Sequence, residues 1–528
     1  MPQGVFDLRE EPWIPVRWSD GTSARCGLRE LFHRAHECDD LELPVPPAAS
    51  GLLRVLAVMT ARIAQDGDGV RLDDEDAAED IATWLDVRAS VLAAGRFDPK
   101  AVDTYLDETV PAGRFDLFDP VRPFLQDPRL VAECVDAKGN PNPSGVNKLV
   151  FGRPTGTNGA VLFGHFTDGE PVALPAAEAA WHLIAQLYYG PAGQCTPRRI
   201  TTERTGSGDA GPLRKSVSYH AWGPNLFTSL VLAVPVPDSG TDTDLVDECP
   251  WEAAELPDPL APPAPLIWPG RLLTGRFRHA VLLVPSEDGS HVTDAYITWS
   301  THQPRPTARD PYVILDRGKE GQLYAREANG ARALWRDVDA LLLKDTSHQS
   351  LRPHSLNSLP PRLRSRLSVR AYGFDQDGQQ KDTTWFEATT PPILQWQEEA
   401  DARMARHLAR CHRAAEDVGS RLEHAARLAW KLACDTSAAS TPKVKLDRRK
   451  PGPWAQAALH RYWPAAEREF WRLADPARCD SPPLPPMVAA ALKALDDAIG
   501  PANRADIRVA RARARAHALV RALLRAAA

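Results

Sequence analysis

The chain has 528 residues, 43% hydrophobic and 25% charged, with a formal net charge of −6. That balance supplies apolar material for more than one core and excludes a wholly disordered or fibrous chain. No apolar run approaches the roughly 18 residues that cross a bilayer, so no membrane partner is expected.

The opening MPQGVFDLREEP is acidic and carries no apolar h-region, so no secretory signal is expected and the expected location is cytoplasmic. FDLREEPWIPVRWSDG reads as a strand entering a turn at Ser19-Asp20-Gly21. Gly51–Ala64 is helical, with Leu52, Val55, Leu56, Met59 and Ile63 on one face, and Asp76–Ala93 is a second helix. From Phe115 to Gly211 regular structure thins out, with Gly, Pro, Asn and Thr clustered at 138–146, 152–159, 190–197 and 206–212. Ala176–Tyr189 is a helix set between these loops. Long loops inside a compact domain, each flanked by an apolar element, point to function.

Leu226–Val236 reads as a strand, and the acidic, Pro-rich 238–265 as a surface connection. Leu272–Pro285 and Asp294–Ser300 read as β, and Gly330–Leu343 as a short helix. The segment Ala371-Tyr-Gly-Phe-Asp-Gln-Asp-Gly-Gln-Gln380 reads as a hairpin with Asp377-Gly378 at its tip. After Pro391-Pro392 the pattern changes. Leu408, Cys411, Ala415, Val418, Leu422, Ala425, Ala429 and Leu432 keep an unbroken heptad spacing. Helical segments follow at Trp454–Leu473, Met487–Ile499 and Asn503–Ala527, separated by proline and glycine breaks. The expected architecture is α+β: a large, mixed, loop-rich N-terminal domain over 1–392, then a C-terminal four-helix bundle over 393–528.

Charge is unevenly placed. Residues 393–528 hold 24 Lys and Arg against 15 Asp and Glu, a net of +9; the remaining 39 against 54 leave −15. Basic residues cluster at Arg198, Arg199, Arg204, Arg214 and Lys215; at Arg352, Arg362, Arg364, Arg366 and Arg370; at Lys443, Lys445, Arg448, Arg449 and Lys450; and along the last helix at Arg504, Arg508, Arg511, Arg515, Arg521 and Arg525. Any one of these can be a solvated face. Four in an otherwise acidic chain point to phosphate-backbone contacts. On the last helix the arginines stand mostly opposite a seam of Val509, Ala512, Ala516, Leu519 and Leu523.

Gly190-Pro-Ala-Gly193 opens a polar, basic loop. It is no P-loop, since no G-K-[ST] follows, and it reads either as a helix cap or as a backbone able to approach a groove. Amides on the 371–380 hairpin can bond base edges, or simply face water. His407, Cys411 and His412 suggest a metal site only weakly, because Cys411 lies on the apolar seam. His165 and His220 lack an evident carboxylate or cysteine partner. The eight cysteines include no C-x-x-C, so neither a zinc ribbon nor a disulfide framework is expected. No nucleophile, P-loop or paired-carboxylate signature is present, so the chain reads as non-catalytic, with no cofactor or metal.

FDLREEPWIPV at the start, FDLFDPVRPFLQ at 115–126, TNGAVLFGHF at 157–166 and AYGFDQDGQQ at 371–380 occur in that order, ahead of the helical C-terminus. Together they resemble the CasA family, large subunits of the type I-E CRISPR surveillance complex Cascade, over essentially the whole chain. The resemblance implies a role without catalysis: recognition of the protospacer-adjacent motif (PAM) in double-stranded target DNA from the minor groove, opening of the duplex beside it, and recruitment of a helicase-nuclease. The implied partners are target DNA, crRNA, the helicase-nuclease and the other Cascade subunits (backbone, small and handle-binding).

The resemblance places Phe163, Gly164 and His165 at the loop that contacts the crRNA 5′ handle region. It places Gly190 and Gly193 at the glycine loop facing the PAM, and Gln379 and Gln380 at the wedge under it. A minor-groove reader meets a degenerate pattern and works by shape, close backbone approach and a few amides, which glycine and glutamine loops suit. Arg508, Arg511 and Arg515 remain the expected phosphate contacts of the bundle.

Two features depart from the family. The loop FTDGEPVALP lacks the paired cysteines of its zinc-binding members, and Asp294–Pro304 lacks the lysine some insert into the groove, a contact left to an arginine such as Arg305. The rival readings are the large subunit of another type I subtype and a two-domain soluble enzyme.

Overall fold

The computed structural model describes residues 5–68, 77–154, 165–237, 246–304, 309–345, 349–377, 381–434, 446, 452–500 and 506–526. The chain forms two compact units: Met1–Ala333 with His348–Leu394, and Leu334–Ser347 with Gln395–Ala528. The helical unit thus begins just after Pro391-Pro392. It also takes in a short segment, 334–347, that lies inside the stretch read from sequence as the first domain.

In the first unit, Ile14–Trp18 alternates buried and half-buried side chains and pairs antiparallel with Ser23–Cys26 and Cys38–Leu41. The helix Pro46–Asp68 follows. The sequence reading gave it one apolar face, but nearly every side chain from Ala48 to Ala64 is buried. Its stretch Pro46–Gln65 has the length and hydropathy of a membrane span, and 94% of that window lies inside the protein, so it is the core helix of this unit. Arg54 is tolerated at its centre because it pairs with Asp310 at 3.1 Å and bonds Ser50 and Ser218. The helices Ala77–Ala94 and Ala176–Tyr189 match the spans read from sequence.

Leu226–Ala233 is a helix, not a strand. A fully buried apolar run has no periodicity to separate the two states. The overlooked signal is Asn225, which caps the helix by accepting from Thr228 N at 3.0 Å. Leu272–Pro285 likewise divides into a helical turn, Gly270–Thr274, and the strand His279–Pro285, which pairs with His291–Trp299.

In the second unit, the helix Ala402–Cys434 buries all eight seam residues, Leu408 through Leu432. It packs on Pro453–Leu473, Leu484–Ile499 and Ile507–Ala526. Tyr462 locks two of these helices by donating to the Ala415 carbonyl at 2.8 Å. The last helix buries Val509, Ala512, Ala516 and Val520, while Leu519 and Leu523 are half-buried. Its buried seam therefore drifts by one position from the one read in the sequence, as a 3.6-residue period does against a strict heptad.

Leu334–Asp337 and Val338–Leu342 form the short helix read at 330–343, as a 3₁₀ turn running into an α turn. Trp335 packs on Phe470 with ring centroids 4.9 Å apart. Arg336 forks onto Glu416 at 2.7 and 2.9 Å. These contacts recruit the segment to the helical unit.

His407, Cys411 and His412 do not converge on a metal. His407 Nε2 faces the Leu473 carbonyl at 3.0 Å and the Cys411 thiol at 3.5 Å, while His412 Nδ1 faces Asp339 at 3.2 Å. Among the described residues no group of three or more His, Cys, Asp or Glu is placed to hold a metal ion.

Candidate nucleic-acid interface

Three loops singled out in the sequence share one foundation, the short helix Val146–Leu149 and the residues after it. Gln186, buried in the helix Ala176–Tyr189, donates to the carbonyls of Lys148 and Leu149 at 2.8 and 3.1 Å and so fixes this segment. Asn147 donates to the Thr167 carbonyl and to Asp168 at 3.0 and 3.1 Å, which ties 167–168 to this segment. Lys148 Nζ reaches the Gln194 carbonyl of the glycine loop at 3.5 Å. Phe151 packs edge-on against Phe374 and Trp385 of the hairpin, with centroids 6.0 and 6.5 Å away. Phe163 and Gly164 lie outside the described residues; His165 is exposed.

The two glycines of the second loop serve different ends. Gly190 is buried and caps its helix, donating to the Gln186 carbonyl at 2.9 Å. A Cβ there would lie 2.6 Å from that carbonyl oxygen and 2.6 Å from the His279 ring, so position 190 needs glycine for packing. Burial does not suit it to a groove contact, which corrects its expected role. Gly193 is half-buried with φ +117°, a conformation that favours glycine. It pairs with Gly208 in a two-residue ribbon that holds the loop against 207–208. His279 Nε2 faces the Pro191 carbonyl at 3.1 Å from below. Burial lowers the pKa of His279 and of His182 to about 4, so both rings are neutral at neutral pH. Burial likewise lowers the pKa of the Lys148 ammonium.

The third loop is the hairpin. Ser368–Asp377 and Lys381–Thr389 pair from Arg370↔Thr389 to Asp377↔Lys381, with a bulge between Asp375 and Gln376. On its other edge Ser368–Asp377 pairs with Val217–Trp222. The hairpin is therefore the outer part of a three-stranded sheet. Its turn, with Gln379 and Gln380, lies outside the described residues.

The basic clusters separate on inspection. Arg198 is fully buried between Asp127 (2.8 Å) and Glu133 (2.6 Å), and Arg214 is buried against the Tyr189 carbonyl and Asp382. Arg352 bonds Asn357 at 3.1 Å, and Arg370 pairs with Asp40. These arginines hold the fold and are not available to phosphate, contrary to the expectation for their clusters. Arg362 and Arg366 are exposed, as are Arg508, Arg511 and Arg515 on one face of the last helix. Arg508 contacts Asp506 at 3.1 Å. The 443–450 cluster and Arg504 lie outside the described residues, as does Arg305.

The sequence reading gave Arg214 only as a member of a basic cluster and singled out none of Lys148, Gln186 and His279. Their only trace is polarity in apolar surroundings, such as Gln186 inside the run Ala176–Tyr189.

A family model described as CRISPR-associated protein Cse1 matches residues 7–501. A solved structure described as a CRISPR RNA-guided surveillance complex is similar at 38% identity and a TM-score of 0.82, covering 98% of this chain and 99% of that one. The Thermus thermophilus CasA (Cse1) structure shares the fold at 22% identity and a TM-score of 0.70, over 98% and 99% of the two chains. Thermobifida fusca Cse1 does so at 20% identity and 0.72, over 98% of each. None of the curated proteins matches the chain.

Proposed function

The chain belongs to the CRISPR-associated Cse1 family, large subunits of the type I-E surveillance complex Cascade, and on that premise we propose that it recognises the PAM in double-stranded target DNA and opens the duplex beside it. The observation that carries this reading is the shared foundation of the three loops. Residues 146–151 touch the 165–168 segment, the glycine loop and the hairpin strands, so the described bases of these segments are held in fixed relation. A preorganised base loses little freedom on binding, which suits modest, salt-sensitive contacts.

In this reading Gly193 brings backbone close to the minor groove, Gln379 and Gln380 enter the stack beneath the PAM, and 163–165 meet the crRNA handle region. Gly190 shapes its loop without touching DNA. The guide RNA reads the target sequence, which relieves the protein of base-by-base recognition. The chain itself performs no catalysis; cleavage belongs to the recruited helicase-nuclease.

The test is reconstitution. The purified chain, added to the remaining Cascade subunits loaded with crRNA, should restore binding to duplex targets bearing a PAM and not to targets with that motif scrambled. Equal binding to both would overturn the reading.

A further inference from the structure

The segment Arg122-Pro-Phe-Leu-Gln126 carries part of the family resemblance but belongs to none of the three loops. It forms one wall of a separate cavity of about 520 Å³ in the first unit. That volume falls within the roughly 300–1,000 Å³ of small-molecule sites.

The wall is rigidly built. Asp119 accepts from the backbone N–H groups of Val121 and Arg122 at 2.9 and 2.5 Å. Gln126 donates to the Leu117 carbonyl at 2.8 Å and accepts from Leu283 N at 2.7 Å. Leu125 between them has φ +58°, a left-handed conformation that costs a non-glycine residue of order 1–3 kcal/mol. Phe124, Leu125 and Phe277 supply apolar lining.

The charge around this apolar space is unbalanced. Five arginines line it against three carboxylates, Asp127, Glu248 and Glu255, with Glu133 behind the lining pairing Arg198. Asp127 is committed to Arg129 and Arg198, and Glu248 faces Arg271 at 3.5 Å. Among the described residues the Arg122 side chain donates to the carbonyls of Pro250, Ala253 and Ala254 and to no carboxylate. Burial, then Arg114 and Arg129, make its protonated form less favourable than usual. Arg114 buries Nε and Nη1 with no hydrogen-bond partner among the described residues. A buried donor left unmade costs about 1–3 kcal/mol, so an anion at this position relieves both the orphaned donors and the repulsion.

We infer that this cavity binds a nucleoside monophosphate, its phosphate on Arg114 and Arg122 and its base among Phe124, Leu125 and Phe277. One carboxylate is satisfied by one forked guanidinium. Arg129 is held by Asp127, whereas Arg114 and Arg122 make no hydrogen bond to a carboxylate from their side chains among the described residues, and together they suit a group with three acceptor oxygens and a charge near −2. The apolar lining suits a planar body and gives a bare inorganic anion nothing to fill. The proposal does not rest on the function proposed for the DNA-reading loops, although His279, which faces the Pro191 carbonyl, also lines the cavity.

The experiment is calorimetric titration of the purified full-length chain with adenosine 5′-monophosphate, inorganic phosphate and adenosine. The nucleotide should saturate, at least tenfold tighter than either fragment. R114Q should lose at least tenfold in affinity while the unliganded protein keeps its melting temperature, because the Arg114 side chain makes no hydrogen bond among the described residues. Hydrogen exchange on the wild-type chain gives a readout that does not depend on a variant folding: the nucleotide should protect 113–129 and 250–257. No saturation by about 1 mM, or protection confined to other segments, overturns the assignment, as does an R114Q protein that folds and binds as wild type does.

Discussion

Arg214 donates to the Asp382 carboxylate on the hairpin and, from its other terminal nitrogen, to the Tyr189 carbonyl at 2.5 Å, at the root of the glycine loop. Its Nε also reaches Gln376 at 3.3 Å. One buried guanidinium thus joins the proposed groove reader to the proposed wedge. R214A orphans the Tyr189 carbonyl and should lower unfolding free energy by about 1–3 kcal/mol. D382N removes a partner that is 41% exposed and should cost less. Both should raise hydrogen exchange in 368–389. Denaturant midpoints and exchange rates equal to wild type in both variants would mean that the tie is not made in solution.

Gly190 and Gly193 should respond differently to alanine. At 190 the new Cβ meets a backbone oxygen and a ring at 2.6 Å, so G190A should destabilise the first unit and shift the loop. At 193 the cost is backbone strain of about 1–2 kcal/mol at an accessible position. G193A should therefore weaken PAM-dependent binding by more than its melting temperature accounts for. Parallel melting and binding curves check the contrast.

The glutamine pair is tested by substrate choice. Opening a duplex costs about 1.4 kcal/mol per base-pair step in lost stacking. Q379A/Q380A should bind an intact duplex target several-fold more weakly than wild type, and bind a target with mismatches beside the PAM almost normally. An equal defect on both substrates argues against a wedge.

Arg508, Arg511 and Arg515 are exposed on one face of the last helix, and Arg511 and Arg515 have room to meet phosphate. Reversing all three to glutamate should weaken target binding and reduce its salt slope by up to about three. An unchanged slope identifies the stripe as a solvated face.

His412 links stability to alkaline pH. Its burial opposes charge, but Asp339 at 3.2 Å and Glu416 at 3.4 Å outweigh it and raise the pKa from 6.5 to about 9. A folded-state pKa above the unfolded one stabilises fully below about 6.5, and the contribution fades as pH rises through about 9. The helical unit should therefore lose stability between pH 6.5 and 9, and H412Q should flatten that slope. Urea midpoints measured across this range decide it.

Sequence alone determined the elements whose pattern is one-dimensional. The Leu408–Leu432 seam and the proline breaks that follow specify the helical unit, because heptad spacing and missing N–H groups act locally. The hairpin was legible from its Asp377-Gly378 turn signal, and the helix Ala176–Tyr189 from its own apolar run between glycine- and proline-rich loops. The family was legible too, from short segments in a fixed order.

Other features depended on the tertiary structure. Leu226–Ala233 carries no period, so its helical state rests on the Asn225 cap and on burial from every side. Leu334–Ser347 joins the helical unit through Trp335 on Phe470 and Arg336 on Glu416, contacts made across 80 residues of chain or more. Arg198 and Arg214 read as members of basic clusters, yet each sits between acceptors that the chain delivers from elsewhere. Whether an arginine holds the fold or faces a phosphate depends on which carboxylates and carbonyls surround it, and only the folded chain brings those together.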